Sequence, residues 1–147
     1  MFTEEIDIVD YRSGDYDKLI SIWEEAGLTY KPEGRDSREK IENEIRLNCN
    51  RFLFARQKGQ YIGSILVTHD GRKGWINRVA VLPEFRQKGV AKLLVGYAEK
   101  WLESIGIGIF ACQIEPDNPQ SLEVFKKLDY IPFEGMNYLT KRKYPGV

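Results

Sequence analysis

The sequence predicts a mixed α/β fold made as a single domain, residues 1–147, and three observations predict it. Apolar residues alternate with polar ones in some segments and recur at helical spacing in others, which is the signature of strands mixed with helices. The segments follow the order strand, two helices, three strands, helix, strand, helix, strands, as expected of helices flanking one sheet. No internal repeat, low-complexity stretch or Pro/Ser-rich linker divides the 147 residues, a length sufficient for one core.

Ile6 to Arg12 alternates and reads as the first strand. From Asp15 to Ala26, Leu19, Ile22, Trp23 and Ala26 fall at helical spacing, with Asp15 as an N-cap candidate and Gly27 as the stop. Gly27 to Asp36 carries Gly, Pro and charges and reads as a loop. Ser37-Arg38-Glu39-Lys40 opens a second helix whose thin apolar stripe is Ile41, Ile45 and Leu47. Arg51–Gln57 and Tyr61–His69 form a hairpin around Lys58-Gly59-Gln60, and the turn Asp70–Gly74 leads into the strand Trp75–Leu82. The clearest helix spans Val90–Ile105, with Val90, Leu93, Leu94, Tyr97, Ala98, Trp101, Leu102 and Ile105 on one face. Gly106 ends it, and Ile107–Glu115 reads as a buried strand. A short helix, Pro119–Leu128, precedes two strand-like pieces, one of them at Asn137-Tyr138-Leu139.

Composition removes several function classes. Basic and acidic residues balance at 22 each, so no global field draws the chain to nucleic acid or to a membrane. Two cysteines, Cys49 and Cys112, and one histidine, His69, cannot build a Cys/His zinc site or a disulfide framework. Met1–Asp10 lacks the apolar core of a leader peptide, and no run nears the ~20 apolar residues that cross a bilayer. A soluble, cytoplasmic protein without a metal is the expectation.

The chemistry concentrates in one stretch. After the apolar strand Val79-Ala80-Val81-Leu82 and Pro83, the basic, glycine-bearing loop Arg86-Gln87-Lys88-Gly89 opens the best helix at Val90-Ala91. The first turn of a helix carries unpaired N–H groups and the positive end of its dipole, which together favour an anion such as a pyrophosphate. Gly89 removes a side chain where phosphate oxygens must approach backbone, small Ala91 lets the chain turn tightly, and Arg86 and Lys88 add charge. The plain alternative is an ordinary strand-to-helix loop with solvated basic residues.

Arg86-Gln87-Lys88-Gly89-Val90-Ala91 resembles the Arg/Gln-x-x-Gly-x-Gly/Ala loop of the GNAT acetyltransferase superfamily. Downstream, Asn118-Pro119-Gln120-Ser121 and Phe125-Lys126-Lys127-Leu128-Asp129-Tyr130 resemble that family's second signature, in the right order with the expected helix and strand between. The resemblance implies a splayed, mostly antiparallel sheet with flanking helices and acetyl-CoA wedged between the strands ending near Leu82 and Glu115. It implies that Val79 and Val81 pair with the pantetheine arm through their backbones. N–H groups from Gln87 to Ala91 would hold the pyrophosphate, Asn118 would bond the pantetheine arm, and Phe125 would pack beside the thioester. Each also has a plain reading: core valines, a helix cap and core packing. The implied activity is an acyl-CoA-dependent N-acetyltransferase acting by direct attack on an amine acceptor. The acceptor class stays open among small amines, amino acids and protein amines, and a homodimer stays open too.

Two positions depart from the family's pattern. Many members use a tyrosine as proton donor where this chain has Phe125, and members that acetylate protein N-termini use a glutamate as base where this chain has Gln113. Glu115, two residues on along a strand, shares a face with Gln113 and is a replacement base. Tyr138 is a candidate from the opposite wall, and His69 a further base candidate that also reads as a surface residue. Asp129 replaces the usual glycine at a position that often takes positive φ, which aspartate tolerates. Cys112 reads as a small buried residue rather than a nucleophile. Two other functions compete: an acyl-CoA-binding module without catalysis, and a nucleotide-binding protein, which lacks the Gly-Lys-Ser/Thr ending of a Walker loop.

Overall fold

Every expected element up to the last helix forms within a few residues of its expected ends, except the strand after Gly106, which is far shorter. The computed structural model describes residues 5–147, so the reading of Met1–Asp10 rests in part on residues 1–4, outside the described residues. The elements are β1 (Asp7–Asp10), α1 (Tyr16–Ala26), α2 (Arg38–Glu44), β2 (Asn50–Gln57), β3 (Gln60–His69), β4 (Gly74–Val81), α3 (Val90–Ser104), β5 (Phe110–Ala111) and α4 (Pro119–Lys127). A short 3-10 turn, Pro83–Phe85, joins β4 to the loop before α3.

The local signals act as their chemistry dictates. Gly27 ends α1 in the left-handed conformation at φ 79°. Ser37 caps α2, its side chain accepting the Lys40 N–H. Lys58 and Gly59, at φ 51° and 79°, turn the β2–β3 hairpin with both central residues at positive φ, matching the strand twist. Asp15 behaves otherwise than expected. Its φ and ψ of −88° and 7° are not the extended cap geometry, and its carboxylate accepts the Arg12 N–H and pairs with Lys18 instead of capping α1.

The sheet runs β1-β2-β3-β4-β5, antiparallel through β4, with β5 parallel to β4. Only Gly74↔Phe110 and Trp75↔Ala111 pair β4 with β5, while β4 continues to Val81. Beyond Trp75 the two chains separate, and the sheet splays open on that side.

Two apolar clusters cover its faces. On one, Leu94, Val95, Ala98 and Leu102 of α3 and Phe125 of α4 meet Leu53, Ile65, Val67, Ile76 and Val81. On the other, Leu19, Ile22 and Trp23 of α1 and Ile41 of α2 meet Phe52, Phe54, Leu66 and Ala80. Full burial of each large side chain contributes roughly 1.5–3 kcal/mol. β4 changes parity midway: Ile76 and Val81 share the α3 face although five positions apart. The cause is a bulge at Arg78, a non-glycine residue at φ 54°, where the β3–β4 register also shifts.

The face of α3 is rotated from the expected stripe. Leu93, Tyr97 and Ile105 are 43%, 43% and 45% exposed, and Val95 takes their place in the core. Leu47 likewise lies outside the core, 54% exposed. The buried strand expected over Ile107–Glu115 is reduced to Phe110–Ala111, and no strand forms after α4. Tyr138, expected on a C-terminal strand, is 70% exposed in an unpaired segment. A strand exists only as a pairing, and the strand-like segment Asn137-Tyr138-Leu139 finds no partner.

Candidate active site

The loop from Arg86 to Gly89 converts a strand end into a helix start through two left-handed residues, Gln87 at φ 61° and Gly89 at φ 85°. Alternating backbone hands of this kind turn successive N–H groups toward one point, an anion-binding nest. Gly89 is the N-cap of α3 and offers no side-chain cap, and the first turn holds no acidic residue. The first intrahelical bond runs from Leu93 N–H to the Gly89 carbonyl, so the N–H groups of Val90, Ala91 and Lys92 have no partner within the helix. A Cβ built on Gly89 meets nothing within 4 Å, so the space before the helix end is open. The Lys88 ammonium stays at the loop, 5.9 Å from the Phe85 ring centre.

Arg86 does other work than the sequence suggested. Its Nε donates to the Val81 carbonyl at 3.0 Å and its Nη2 to the Ala26 carbonyl at 2.8 Å. It ties the end of β4 to the C-terminus of α1, where free carbonyls attract a cation. Leu82 N–H bonds back to Ile62 on β3. By the alternation of a strand, the backbone groups of Val81, and of Val79 two residues earlier, turn to the other edge, the splayed one. The side chains of both valines pack on the α3-side core.

Across the splay, Asn118 caps α4, its Oδ1 accepting the Ser121 N–H at 3.1 Å. Phe125 is 6% exposed and sits edge-on against Tyr130, ring centres 5.0 Å apart. Tyr130 donates to Glu99 Oε2 at 2.6 Å, and burial, followed by that carboxylate, pushes its phenol well above the ordinary range. It holds its proton. Asp129 adopts φ 71°, the left-handed conformation aspartate was expected to tolerate.

Gln113 and Glu115 are both exposed, and Cys112 and Ile114 between them are partly buried, so the two polar side chains alternate with the apolar ones. Burial pushes the Cys112 thiol up, which suits a packing residue and not a nucleophile. His69 belongs to a turn: its Nδ1 accepts the Gly71 N–H and its ring packs edge-on against Trp101. Trp101 lies eleven residues along α3 from Val90, about 16 Å at the helical rise, so His69 stands at the far end from the Gln87–Ala91 nest. Tyr138 is not brought to the splay by any strand. The structure thus gathers Val79, Val81 and the 87–91 backbone around one opening, with Asn118 and Phe125 following β5, and separates His69 from them.

One feature of the site was not read from sequence, the bulge at Arg78. Its trace was there: Asn77 and Arg78 place two polar residues side by side in an otherwise apolar strand.

The family model described as the acetyltransferase (GNAT) family matches residues 16–130. Among curated proteins, acetyltransferase SG1711 of Sodalis glossinidius is 29% identical over 132 residues, covering 90% of this chain and 92% of that one. Acetyltransferase plu1384 of Photorhabdus laumondii is 30% identical over 120 residues, 82% of each chain. Among solved structures, the aminoglycoside N-acetyltransferase AAC(6')-Iy in complex with a bisubstrate analogue aligns with a TM-score of 0.80 at 21% identity, covering 94% of this chain and 99% of that one. The PaiA N-acetyltransferase of Thermoplasma acidophilum, in complex with coenzyme A, aligns with a TM-score of 0.75 at 24% identity over 84% and 88%. With a match over most of its length and the splayed sheet already in place, the chain belongs to the acetyltransferase (GNAT) family.

Proposed function

We infer that residues 1–147 act as one domain that transfers an acetyl group from acetyl-CoA to a primary amine by direct attack in a ternary complex. The observation that carries this reading is the coincidence of two openings. The sheet splays between β4 and β5, and the uncapped N-terminus of α3, preceded by left-handed Gln87 and Gly89, stands at the end of that same β4.

The residues present fit the donor. The N–H groups from Gln87 to Ala91, with open space at Gly89, would hold the pyrophosphate, and the outward backbone groups of Val79 and the Val81 N–H would line the pantetheine arm, the Val81 carbonyl being held by Arg86. Asn118 would lie along that arm and Phe125 beside its end. The bound thioester supplies an activated acetyl group. An uncharged amine attacks its carbonyl carbon, the new C–N bond replaces the C–S bond, and the proton lost by nitrogen ends on the thiolate. Neither Phe125 nor the tethered Tyr130 can supply that proton, so orientation carries much of the rate, a contribution worth up to ~7–11 kcal/mol in well-aligned reactions. Exposed Glu115, which shares Gln113's side of the alternating segment after β5, is the side chain assigned to relay the proton, directly or through water.

The absence of a hydroxyl at Phe125 also favours a second reading, an acyl-CoA-binding module without turnover. Release of free thiol from acetyl-CoA with a panel of primary amines separates the two. Amine-dependent release supports the transferase. Acetyl-CoA binding without release for any amine supports the binding module.

A further inference from the structure

The loop between β4 and α3 is held at its ends and bare in its middle. At the helix end Val90 is buried in the α3-side core, whereas Gln87, Lys88 and Gly89 are exposed. Gln87 nonetheless holds φ 61°, a conformation unfavourable to a residue with a Cβ, and such a conformation persists only where its surroundings impose it. At the strand end the last buried residue is Leu82, and Pro83 and Glu84 are exposed. Burial therefore fixes the loop's exit and not its entry.

Arg86 fixes the entry. Its backbone is extended, φ −73° and ψ 156°, and its N–H donates to the Pro83 carbonyl at 3.3 Å. Its side chain folds back, Nε to the Val81 carbonyl at 3.0 Å and Nη2 to the Ala26 carbonyl at 2.8 Å. One planar group bonded to two separate elements is held in place and in orientation, which a lysine's single ammonium does not reproduce. The second partner carries its own charge problem. Ala26 is the last residue of α1, whose final turn contains Glu24 and Glu25 and no basic residue. The free carbonyls there are the negative end of the helix dipole. That negative end lies within the reach of one arginine side chain from a loop suited to an anion, and Arg86 is the cation set between them.

The first partner matters in the same way. Val81 is the last residue of β4, and its carbonyl is the last acceptor of that strand before the loop. Bonded to Arg86 Nε, it is turned to a donor instead of presenting a bare oxygen beside phosphate oxygens. Both bonds of the guanidinium thus go to backbone carbonyls that would otherwise oppose an anion at the Gln87–Ala91 N–H groups.

We propose that Arg86 is a positioning residue of the donor site. Through the carbonyls of Val81 and Ala26 it fixes the entry of the 87–91 loop, so that the N–H groups converge on the pyrophosphate, and it neutralises the carboxyl end of α1. The proposal rests on the acetyl-transfer reading above and deepens it. The charge that the sequence offers to phosphate acts through backbone and not by contact. Acetyl-CoA affinity then depends on the shape of the guanidinium as well as on its charge.

The test is calorimetry of acetyl-CoA on the wild type, Arg86→Lys and Arg86→Gln, well below each protein's melting temperature so that folded molecules are compared. Both variants should bind at least tenfold more weakly, and Arg86→Lys should fall within about threefold of Arg86→Gln, because lysine keeps the charge but cannot span both carbonyls. Thiol release then compares acetyl-CoA with S-acetylpantetheine, which lacks the pyrophosphate. The loss in kcat/KM should be at least threefold smaller for the truncated donor. Wild-type affinity in Arg86→Lys with weak binding in Arg86→Gln would overturn the proposal, since charge alone would then suffice, as in a direct phosphate contact. Wild-type affinity in both variants, with only the melting temperature lowered, would make Arg86 a brace of the fold and overturn it too. Equal losses for the two donors would do the same. If acetyl-CoA does not bind the wild-type protein, the transfer reading falls first and the proposal with it.

Discussion

The two sides of β4 are built in two different ways. Toward α3 and the splay, the candidate anion site is made of backbone: left-handed Gln87 and Gly89 and the first N–H groups of α3, all within six consecutive residues. Toward α1 and α2, side chains drawn from far apart in the chain, Trp23, Asp36, Glu44 and Arg78, meet around a space of about 300 Å³. A backbone site depends on local conformation and tolerates most side chains. A side-chain site depends on tertiary packing, and there each group also holds the fold. The α3 side should therefore lose binding with little loss of stability when altered, and the α1–α2 side should lose stability first.

The largest stability effect is expected on the α1–α2 side. Arg78→Met removes the buried ion-pair partner of Asp36, leaving it the Lys31 N–H and the more distant Arg35, and should cost about 3 kcal/mol in urea unfolding, as for other broken buried pairs. A loss below about 1 kcal/mol would mean that the pair is screened by water, and the contrast between the two sides would fail. Next comes Glu115→Gln, which should slow turnover about tenfold, ~1.4 kcal/mol in barrier, with acetyl-CoA affinity and melting temperature near wild type. Unchanged turnover would remove Glu115 from the mechanism. The smallest effect is expected from Asn118→Ala. Loss of its bond to Ser121 N–H should lower stability by about 1 kcal/mol. If Asn118 also bonds the pantetheine arm, acetyl-CoA affinity falls as well, and an unaltered dissociation constant would leave it a cap alone.

The same division explains what could be read from the sequence. The helices α1 and α3, the β2–β3 hairpin and the 86–91 loop announce themselves through periodicity, glycines and caps, all local properties. What required the fold was different in kind. Arg86 carries the charge expected of an anion site, yet its guanidinium is bound to the carbonyls of Val81 and Ala26, a partnership sixty residues apart in the second case. Leu93 and Val95 could each belong to an apolar stripe, and only the packing of α3 on the sheet selects Val95. Tyr138 belongs to a strand-like segment that finds no neighbouring strand. The buried pairing of Arg78 with Asp36 was invisible because an arginine in a strand and an aspartate in a loop each read as ordinary. Only the doubled polar pair Asn77-Arg78 hinted at the bulge that brings them together.

The central claim is that the backbone at the start of α3 holds the pyrophosphate of acetyl-CoA, and calorimetry of the wild type against Gly89→Glu tests it most directly. The substituted side chain enters space that is open now, so the fold should persist, with strain from φ 85° of only about 1–2 kcal/mol. Bulk and negative charge in the nest should weaken binding at least a hundredfold, ~2.7 kcal/mol, from micromolar affinity in the wild type. Equal affinity in a folded Gly89→Glu protein, or no binding by the wild type, would contradict it.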